Sequence, residues 1–394
     1  MSVVIYGGGI SGIFLALMLS KLTEGRLKID LISSHVFEEG KIHPSFDSRV
    51  VALTWGTCRA LVAMGIWSVL SPHVTIIKKI EISSYLQCCN KIIITANDYR
   101  LSCLGYVVEL NKLGINLFKL LNDSLSIRLH CPVTLKKIQR TKNMNLVVLD
   151  NGCEISARLL VAADGSPSSL GAMCNINWNI YDYQQIAVTS NITTTYPHYH
   201  SAFEKFTKYG LLALLPITHN RSGLIWCCSS KWRKEISSWT IPQFCHVLQD
   251  ILGYHLGHVI GASQYSFYSL YSCIVERHIS HRLALVGNAA QTLHPFAGQN
   301  LNVGFRDVIS LAKILAKANS SGKDIGDYSV LFEYQESRQL DQKITANCID
   351  LMVRLFSSKH YSLIISRNLG FFVLSHSVFL RSLLVKYLFS WIIR

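Results

Sequence analysis

Apolar residues in this chain fall first into short blocks bounded by glycine. Residues 3–6 (Val-Val-Ile-Tyr) form an unbroken run that predicts a buried strand. The turn Gly7-Gly8-Gly9-Ile10-Ser11-Gly12 follows, then an apolar stretch at 13–22 with the length of a helix, then a second strand at 27–33. Two later blocks repeat the strand signal. One, at 158–163, ends in Asp164-Gly165; the other, at 282–286, leads into a loop and a helix at about 303–318. Alternating runs at 79–83, 91–95 and 146–149 predict further strands, with a helix near 111–122. Residues 184–229, dense in β-branched and aromatic side chains and broken by turn signals, predict a mostly antiparallel sheet. A long helical stretch at about 324–356 and an apolar C-terminal segment complete the chain. There is no repeat of fixed period. This order fits one nucleotide-binding domain interrupted by a sheet domain.

The strand–turn–helix–strand frame is what gives the first glycines their meaning. A lone G-x-G-x-x-G is weak evidence, but after a strand and ahead of a helix it reads as a dinucleotide fingerprint. Gly7 allows the tight turn, Gly9 lets backbone approach a pyrophosphate, and Gly12 lets helix and strand pack closely. The helix N-terminus then offers N–H groups and a positive dipole end to the phosphates. Two more segments extend the site. Asp164-Gly165 closes a strand, and Leu285-Val-Gly-Asn-Ala-Ala-Gln-Thr-Leu-His-Pro-Phe-Ala-Gly-Gln-Asn-Leu-Asn302 runs from a strand end to a helix start. Asn288 can reach a ribityl hydroxyl there. Gly298, Gln299 and Asn302 sit where a helix dipole favours an anionic reduced flavin ring.

Composition removes competing classes. With 394 residues, 49% apolar and 16% charged, the chain is a globular protein of two to three domains or one large composite, not a disordered or low-complexity one. Its 12 cysteines show no C-x-x-C spacing, and the pairs His198-x-His200 and His255-x-x-His258 lack partners in sequence, so no metal site is expected. The net charge of +14 is spread in short groups without a nucleic-acid motif. It suits an anionic membrane surface or a lysine-rich genome equally well. There is no G-x-S-x-G elbow and no P-loop, which excludes hydrolase and NTPase readings. The opening residues carry no basic n-region, so the expectation is a cytoplasmic protein without a secretory signal. No apolar run reaches a membrane span. The stretch 369–380, flanked by Arg367, Arg381, Lys386 and Arg394, reads as an interfacial segment on the inner face of a membrane or as a core helix.

The stretch Phe46-Asp47-Ser48-Arg49-Val50-Val51-Ala52-Leu53, continued by Leu61 and Met64-Gly65-Ile66-Trp67, carries a resemblance. So do Val107-Val108-Glu109-Leu110, Phe203-Glu204-Lys205-Phe206-Thr207 and Arg367-Asn368-Leu369-Gly370. Together with the three glycine segments, they make the chain similar, nearly end to end, to the aromatic-ring monooxygenases of the ubiquinone-biosynthesis hydroxylase family. Most of that family has Asp and His where this chain has Asn288 and Gln291; one member shares both residues. The resemblance implies an α/β fold, a Rossmann-like FAD-binding domain with an inserted antiparallel-sheet substrate domain, as in para-hydroxybenzoate hydroxylase. The boundaries that follow are 1–177 for the first FAD-binding part (with a small sheet excursion at about 75–100) and 178–275 for the substrate sheet. The second FAD-binding part spans 276–360, and the C-terminal apolar helical segment 361–394.

The resemblance further implies FAD as cofactor, with Gly7, Gly9, Gly12, Arg49, Asp164, Gly165, Asn288, Gly298 and Asn302 as its neighbours and Pro295 near the reactive edge of the ring; Ser33, at the end of the second strand, is read as a further cofactor-binding residue whose hydroxyl can bond a ribose. It implies NAD(P)H as co-substrate, bound transiently over the flavin, and hydroxyl transfer from O2 to an electron-rich polyprenylated phenol. The other proteins of the pathway are the implied partners. His294, beside Pro295, is open to two roles, steering a proton or orienting the loop. Asp47 beside Arg49 reads as an orienting ion pair rather than a general base. Two residues depart from the family pattern. The acid expected on the ribose is replaced by Ser33, with Glu38 only later, and Asn300 stands where the family has glycine, at a position read as left-handed backbone. Both predict weakened FAD retention. A sister hydroxylase acting on another ring carbon, and a catalytically drifted FAD-binding scaffold, are the alternatives.

Overall fold

The structure is a computed structural model that describes residues 2–36, 47–84, 91–357, 370, 373 and 376–382. Glu38, Phe46 and most of the C-terminal segment, including Arg367, Lys386 and Arg394, lie outside the described residues.

The first strand, Ser2–Tyr6, lies inside a six-stranded sheet. The order is Ile279–Ser280, Leu283–Leu285, Leu159–Ala162, Ser2–Tyr6, Lys28–Ile32, Ile127–His130. All pairings are parallel except the short one between Ile279–Ser280 and Leu283–Leu285. The unbroken apolar run follows from burial on both faces. Val3 and Ile5 pack under the helices Ile10–Leu22 and Gln299–Ser320, whose Phe14 and Phe305 rings meet edge-on at 4.5 Å. Val4 turns the other way, onto a three-stranded sheet formed by Leu135–Arg140, Asn145–Leu149 and Glu154–Ala157.

The second large element is a nine-stranded sheet built around Trp178–Thr194, Arg221–Ser229, Gly210–Thr218 and Ser266–Val275. It is antiparallel except where Ser201–Thr207 pairs in parallel with Lys79–Ser84. The run at 79–95 therefore does not stand as a separate excursion: Lys79–Ser84 and Ile92–Thr95 extend the large sheet at one edge. A lone hairpin would be marginal in water; here Ile92 and Ile94 find cover against Phe206 and Ile217. At the other edge Gln291–Thr292, from the predicted flavin loop, pairs with Cys273 and Ile274 and joins the two halves of the molecule. A helix at Ile241–Leu252, opened by a Thr240/Gln243 capping box, packs Phe244 and Leu248 against the sheet.

A fourth, small antiparallel sheet joins Val50–Thr54, Gly105–Glu109 and Val74–Ile77. It brings Arg49 to the junction of the two large sheets. The later helices differ from their predicted bounds. The first begins at Gln299, four residues early, because Gly298 takes a left-handed conformation (φ 59°) and starts it there. The second begins at Tyr328 rather than 324, since Asp324 and Asp327 form a turn ahead of it. No helix among the described residues is long and apolar enough to cross a membrane.

Candidate active site

The three predicted segments meet, with residues 47–52 and one wall of the large sheet, around a cleft of about 750 Å³. That size suits a cofactor site. At one end the glycine turn is dictated by contact: a Cβ on Gly7 would lie 2.2 Å from Ala163 O, and one on Gly12 1.9 Å from Gly7 O. Gly12 thus serves the cleft from behind, by letting strand and helix touch, and does not line it. Gly9 is the N-cap of Ile10–Leu22 and offers no side-chain cap, so the first-turn N–H groups stay available to an anion.

Ser33 lines the cleft at the end of Lys28–Ile32. Its hydroxyl donates to His35 O at 2.9 Å and accepts from His35 N at 3.3 Å, a local turn, so its one O–H is already spent and is not held out to a ribose. Asp164 also lines the cleft, with its carboxylate spent locally: it accepts from the Ser168 and Ser169 hydroxyls at 2.6 and 2.8 Å and from Leu170 N at 3.1 Å. What Asp164 supplies is a fixed turn into Gly165 at φ 94°.

Arg49 projects from the start of the small sheet. Asp47 accepts from its main-chain N at 3.0 Å and from Nε at 2.8 Å, and the guanidinium lies 4.3 Å from the centre of the Tyr268 ring. The Tyr268 hydroxyl donates to Asp47 Oδ2 at 2.9 Å; burial raises its pKa, so it stays a protonated donor. The orienting reading of Asp47 agrees with this geometry. Tyr268 itself was not marked by any motif, because the contact spans 221 positions and rests on one phenol in an otherwise ordinary strand. Neither terminal nitrogen of Arg49 has a hydrogen-bond partner among the described residues.

At the other end, Asn288, Pro295, Gly298 and Asn300 line the cleft. Asn302 lies beneath it, buried, where its amide knits two distant segments. Its Oδ1 accepts from Thr54 N and the Thr57 hydroxyl, and its Nδ2 donates to Ala52 O and Gly298 O, all at 2.9 Å. Direct contact with a flavin is replaced by support of the loop that would touch one. The reading of Asn300 as left-handed backbone does not hold either. It is the second residue of a helix, and Gly298 carries the left-handed turn.

His294 is buried behind Pro295 and does not line the cleft. Its Nε2 meets Gln185 Oε1 at 3.2 Å and its ring sits edge-on to Tyr183. Burial pushes its pKa down to about 4, so the ring is neutral near pH 7. This placement supports orientation of the loop and not proton steering. Gln291 is buried with neither amide atom hydrogen-bonded among the described residues.

The arrangement fits a flavin dinucleotide. Backbone donors and a positive helix end face the glycine turn, the Arg49 guanidinium, held by Asp47 and Tyr268, stands midway, and a second helix N-terminus opens at Gly298 beside Pro295 and Asn288. From the large sheet, Ala187, Leu215, Leu224 and Leu270 bring apolar side chains to the cleft, alongside the polar Thr189, Ser190, Ser266 and Ser269.

The comparisons with known proteins agree. Residues 133–344 match the model of the FAD binding domain family. The chain is 30% identical to ubiquinone hydroxylase UbiL of Rhodospirillum rubrum over 371 residues, covering 93% of this chain and 84% of that protein. It is 28% identical to 3-demethoxyubiquinol 3-hydroxylase of Escherichia coli, covering 86% and 87%. In fold it is similar to HpxO of Klebsiella pneumoniae complexed with FAD and uric acid: TM-score 0.75 at 13% identity, covering all of this chain and 96% of that one.

Proposed function

The chain belongs to the FAD binding domain family and, within it, to the ubiquinone-biosynthesis hydroxylases, and on that premise we propose that it hydroxylates the ring of a polyprenylated phenol of the 2-octaprenyl-6-methoxyphenol type, with NAD(P)H and O2. It is a flavin-dependent monooxygenase. One observation carries the substrate reading: the cleft that gathers the dinucleotide-binding elements and Pro295 is also lined, from the large sheet, by the apolar side chains of Ala187, Leu215, Leu224 and Leu270. Such a lining accepts an aromatic ring with a hydrocarbon tail and keeps water from the reacting atoms.

FAD bound here would supply, with NAD(P)H and O2, the oxygen chemistry that no side chain can perform. The chain's own groups bind and orient. First-turn N–H groups of Ile10–Leu22 take the diphosphate, and Arg49, held by Asp47 and Tyr268, aims a cation across the middle of the cleft. The N-terminus of Gln299–Ser320 would favour negative charge on a flavin ring held beside Gly298. His294, neutral and bonded to Gln185, holds Pro295 in place from behind. Peripheral contact with an anionic membrane and assembly with other proteins of the pathway would bring such a lipid substrate to the cleft.

The first experiment is the visible spectrum of the purified protein with and without added FAD. It is followed by NAD(P)H oxidation with a polyprenylated phenol and identification of the product. Oxidised-flavin bands and phenol-dependent formation of a hydroxylated ring are expected. A colourless protein that takes up no FAD overturns the reading, and FAD uptake without product leaves only an FAD-binding scaffold. Co-sedimentation with anionic liposomes should occur at low salt and fade as salt rises; its absence at low salt removes the membrane contact.

A further inference from the structure

The amide of Asn300 sits between two groups of the loop that precedes it. Its Oδ1 accepts from Leu293 N at 3.1 Å, and its Nδ2 donates to Asn288 Oδ1 at 3.2 Å. A main-chain N–H can only donate, so the first bond fixes which end of the Asn300 amide is oxygen. The NH2 end therefore faces Asn288 and can only donate, and Asn288 has to answer with its own oxygen. The wholly uncommitted group of Asn288 is its NH2, a donor. That group makes no hydrogen bond among the described residues, and Asn288 is exposed in the cleft wall.

We propose that Asn300 is a positioning residue that sets the polarity of Asn288, so that position 288 meets the dinucleotide as a hydrogen-bond donor against an acceptor oxygen. Far from obstructing the flavin, Asn300 spends its side chain inside the loop and pre-orders a polar group that the loop shows to its ligand. Pre-ordering of this kind removes part of the cost of binding. The inference rests on the FAD reading and deepens it at one residue.

The test is the FAD affinity of apoprotein, measured by flavin fluorescence quenching, with the melting temperature of each apoprotein alongside. Asn300→Gly should weaken FAD about threefold to tenfold, the scale of one neutral hydrogen bond. Asn288→Ala should do the same, and the double variant should be no weaker than Asn288→Ala within about twofold, since one residue acts through the other. Asn300→Asp supplies a variant that keeps the loop. It still accepts from Leu293 N, but its second oxygen calls for the NH2 of Asn288 and turns that residue's oxygen toward the cleft. FAD should then bind more weakly at an unchanged apoprotein melting temperature, and the loss should persist at high salt, where an effect of added charge alone is screened. Binding by Asn300→Gly as tight as wild type, additive losses in the double variant, or a loss in Asn300→Asp that salt abolishes would each overturn the inference while leaving the FAD reading intact. Failure of the wild type itself to take up FAD would overturn the FAD reading, and the inference with it.

Discussion

At the Gly7–Gly12 end of the cleft, what the ligand would meet is backbone, and the packing behind it leaves no room for a Cβ. At the Asn288–Asn302 end, the loop takes its shape from side-chain amides, with Asn300 tied to Asn288 and Leu293 and Asn302 tied to Ala52, Thr54 and Gly298. The first end is rigid because its alternatives clash. The second is rigid because its polar groups are satisfied, and a satisfied network fails by degrees as its members are removed. Substitutions at the two ends should therefore fail in different ways: abruptly where the backbone is crowded, in steps where amides hold.

The largest effect is expected at Gly12. In Gly12→Ala the new methyl would lie 1.9 Å from Gly7 O, so the strand and the helix must part. Overpacking of this kind costs about 3 kcal/mol where nothing can yield. FAD uptake should vanish and the denaturation midpoint fall together. Retained FAD binding in Gly12→Ala would show that the turn is softer than its contacts imply.

Asn302→Ala comes next. It strips partners from Thr54 N, Ala52 O and Gly298 O in one step, and burial keeps water from replacing them fully. A loss of about 2–3 kcal/mol is expected from urea unfolding. Because the left-handed turn at Gly298 loses its brace, FAD affinity should fall as well, but without the collapse expected for Gly12→Ala.

These two positions also divide what could be read in advance. The glycine turn, the parallel strands and the buried helix were legible because each depends on neighbours a few positions away, through steric exclusion and apolar spacing. The placement of Asn302 was not, because its partners lie about 250 positions upstream and an asparagine ahead of a helix looks the same whether it faces ligand or protein. The same holds for Tyr268 and for the edge strands at 79–95. Their sequence announces a strand; which sheet receives it depends on the whole fold. For Asn300 the local rule misleads: asparagine tolerates left-handed backbone, but Gly298 takes that conformation first.

A third site tests the frame behind the flavin end. Asp324 receives Arg282 at 2.6 Å and Arg158 at 3.1 Å, and Arg282 immediately precedes the strand Leu283–Leu285 that leads into Asn288. These hydrogen bonds, Arg282 foremost, hold the Asp324 carboxyl down to about 2. Its folded-state pKa lies below the unfolded one, so the stabilisation is complete above about pH 4 and is lost as pH falls toward about 2. Asp324→Asn should cost about 2 kcal/mol at pH 7. The gap from wild type should close through that acid window, as followed by urea midpoints at a series of pH values. A gap constant with pH would mean that packing rather than charge holds the strand.

Tyr268→Phe is expected to be milder. The ring remains under Arg49, while the hydroxyl that steadies Asp47 is lost. FAD should bind about threefold more weakly, the lower end for one hydrogen bond, and the melting temperature should scarcely move. A change below measurement would mean that Arg49 needs only Asp47 and the ring.

The smallest effect is expected at Ser33, where the two ends are brought to one scale. Ser33 lines the cleft as Asn288 does, but its one O–H is committed to His35 O, whereas the Asn288 NH2 has no partner among the described residues. Lining alone does not make a contact; a free donor or acceptor does. Ser33→Ala should accordingly leave FAD affinity within about twofold of wild type, below what one net hydrogen bond contributes, and should only loosen the turn at His35. Titration beside Asn288→Ala under the same conditions decides the matter. A loss at Ser33 equal to that at Asn288 would mean that the hydroxyl leaves His35 when the dinucleotide arrives, and that this end of the cleft, too, relies on a side chain.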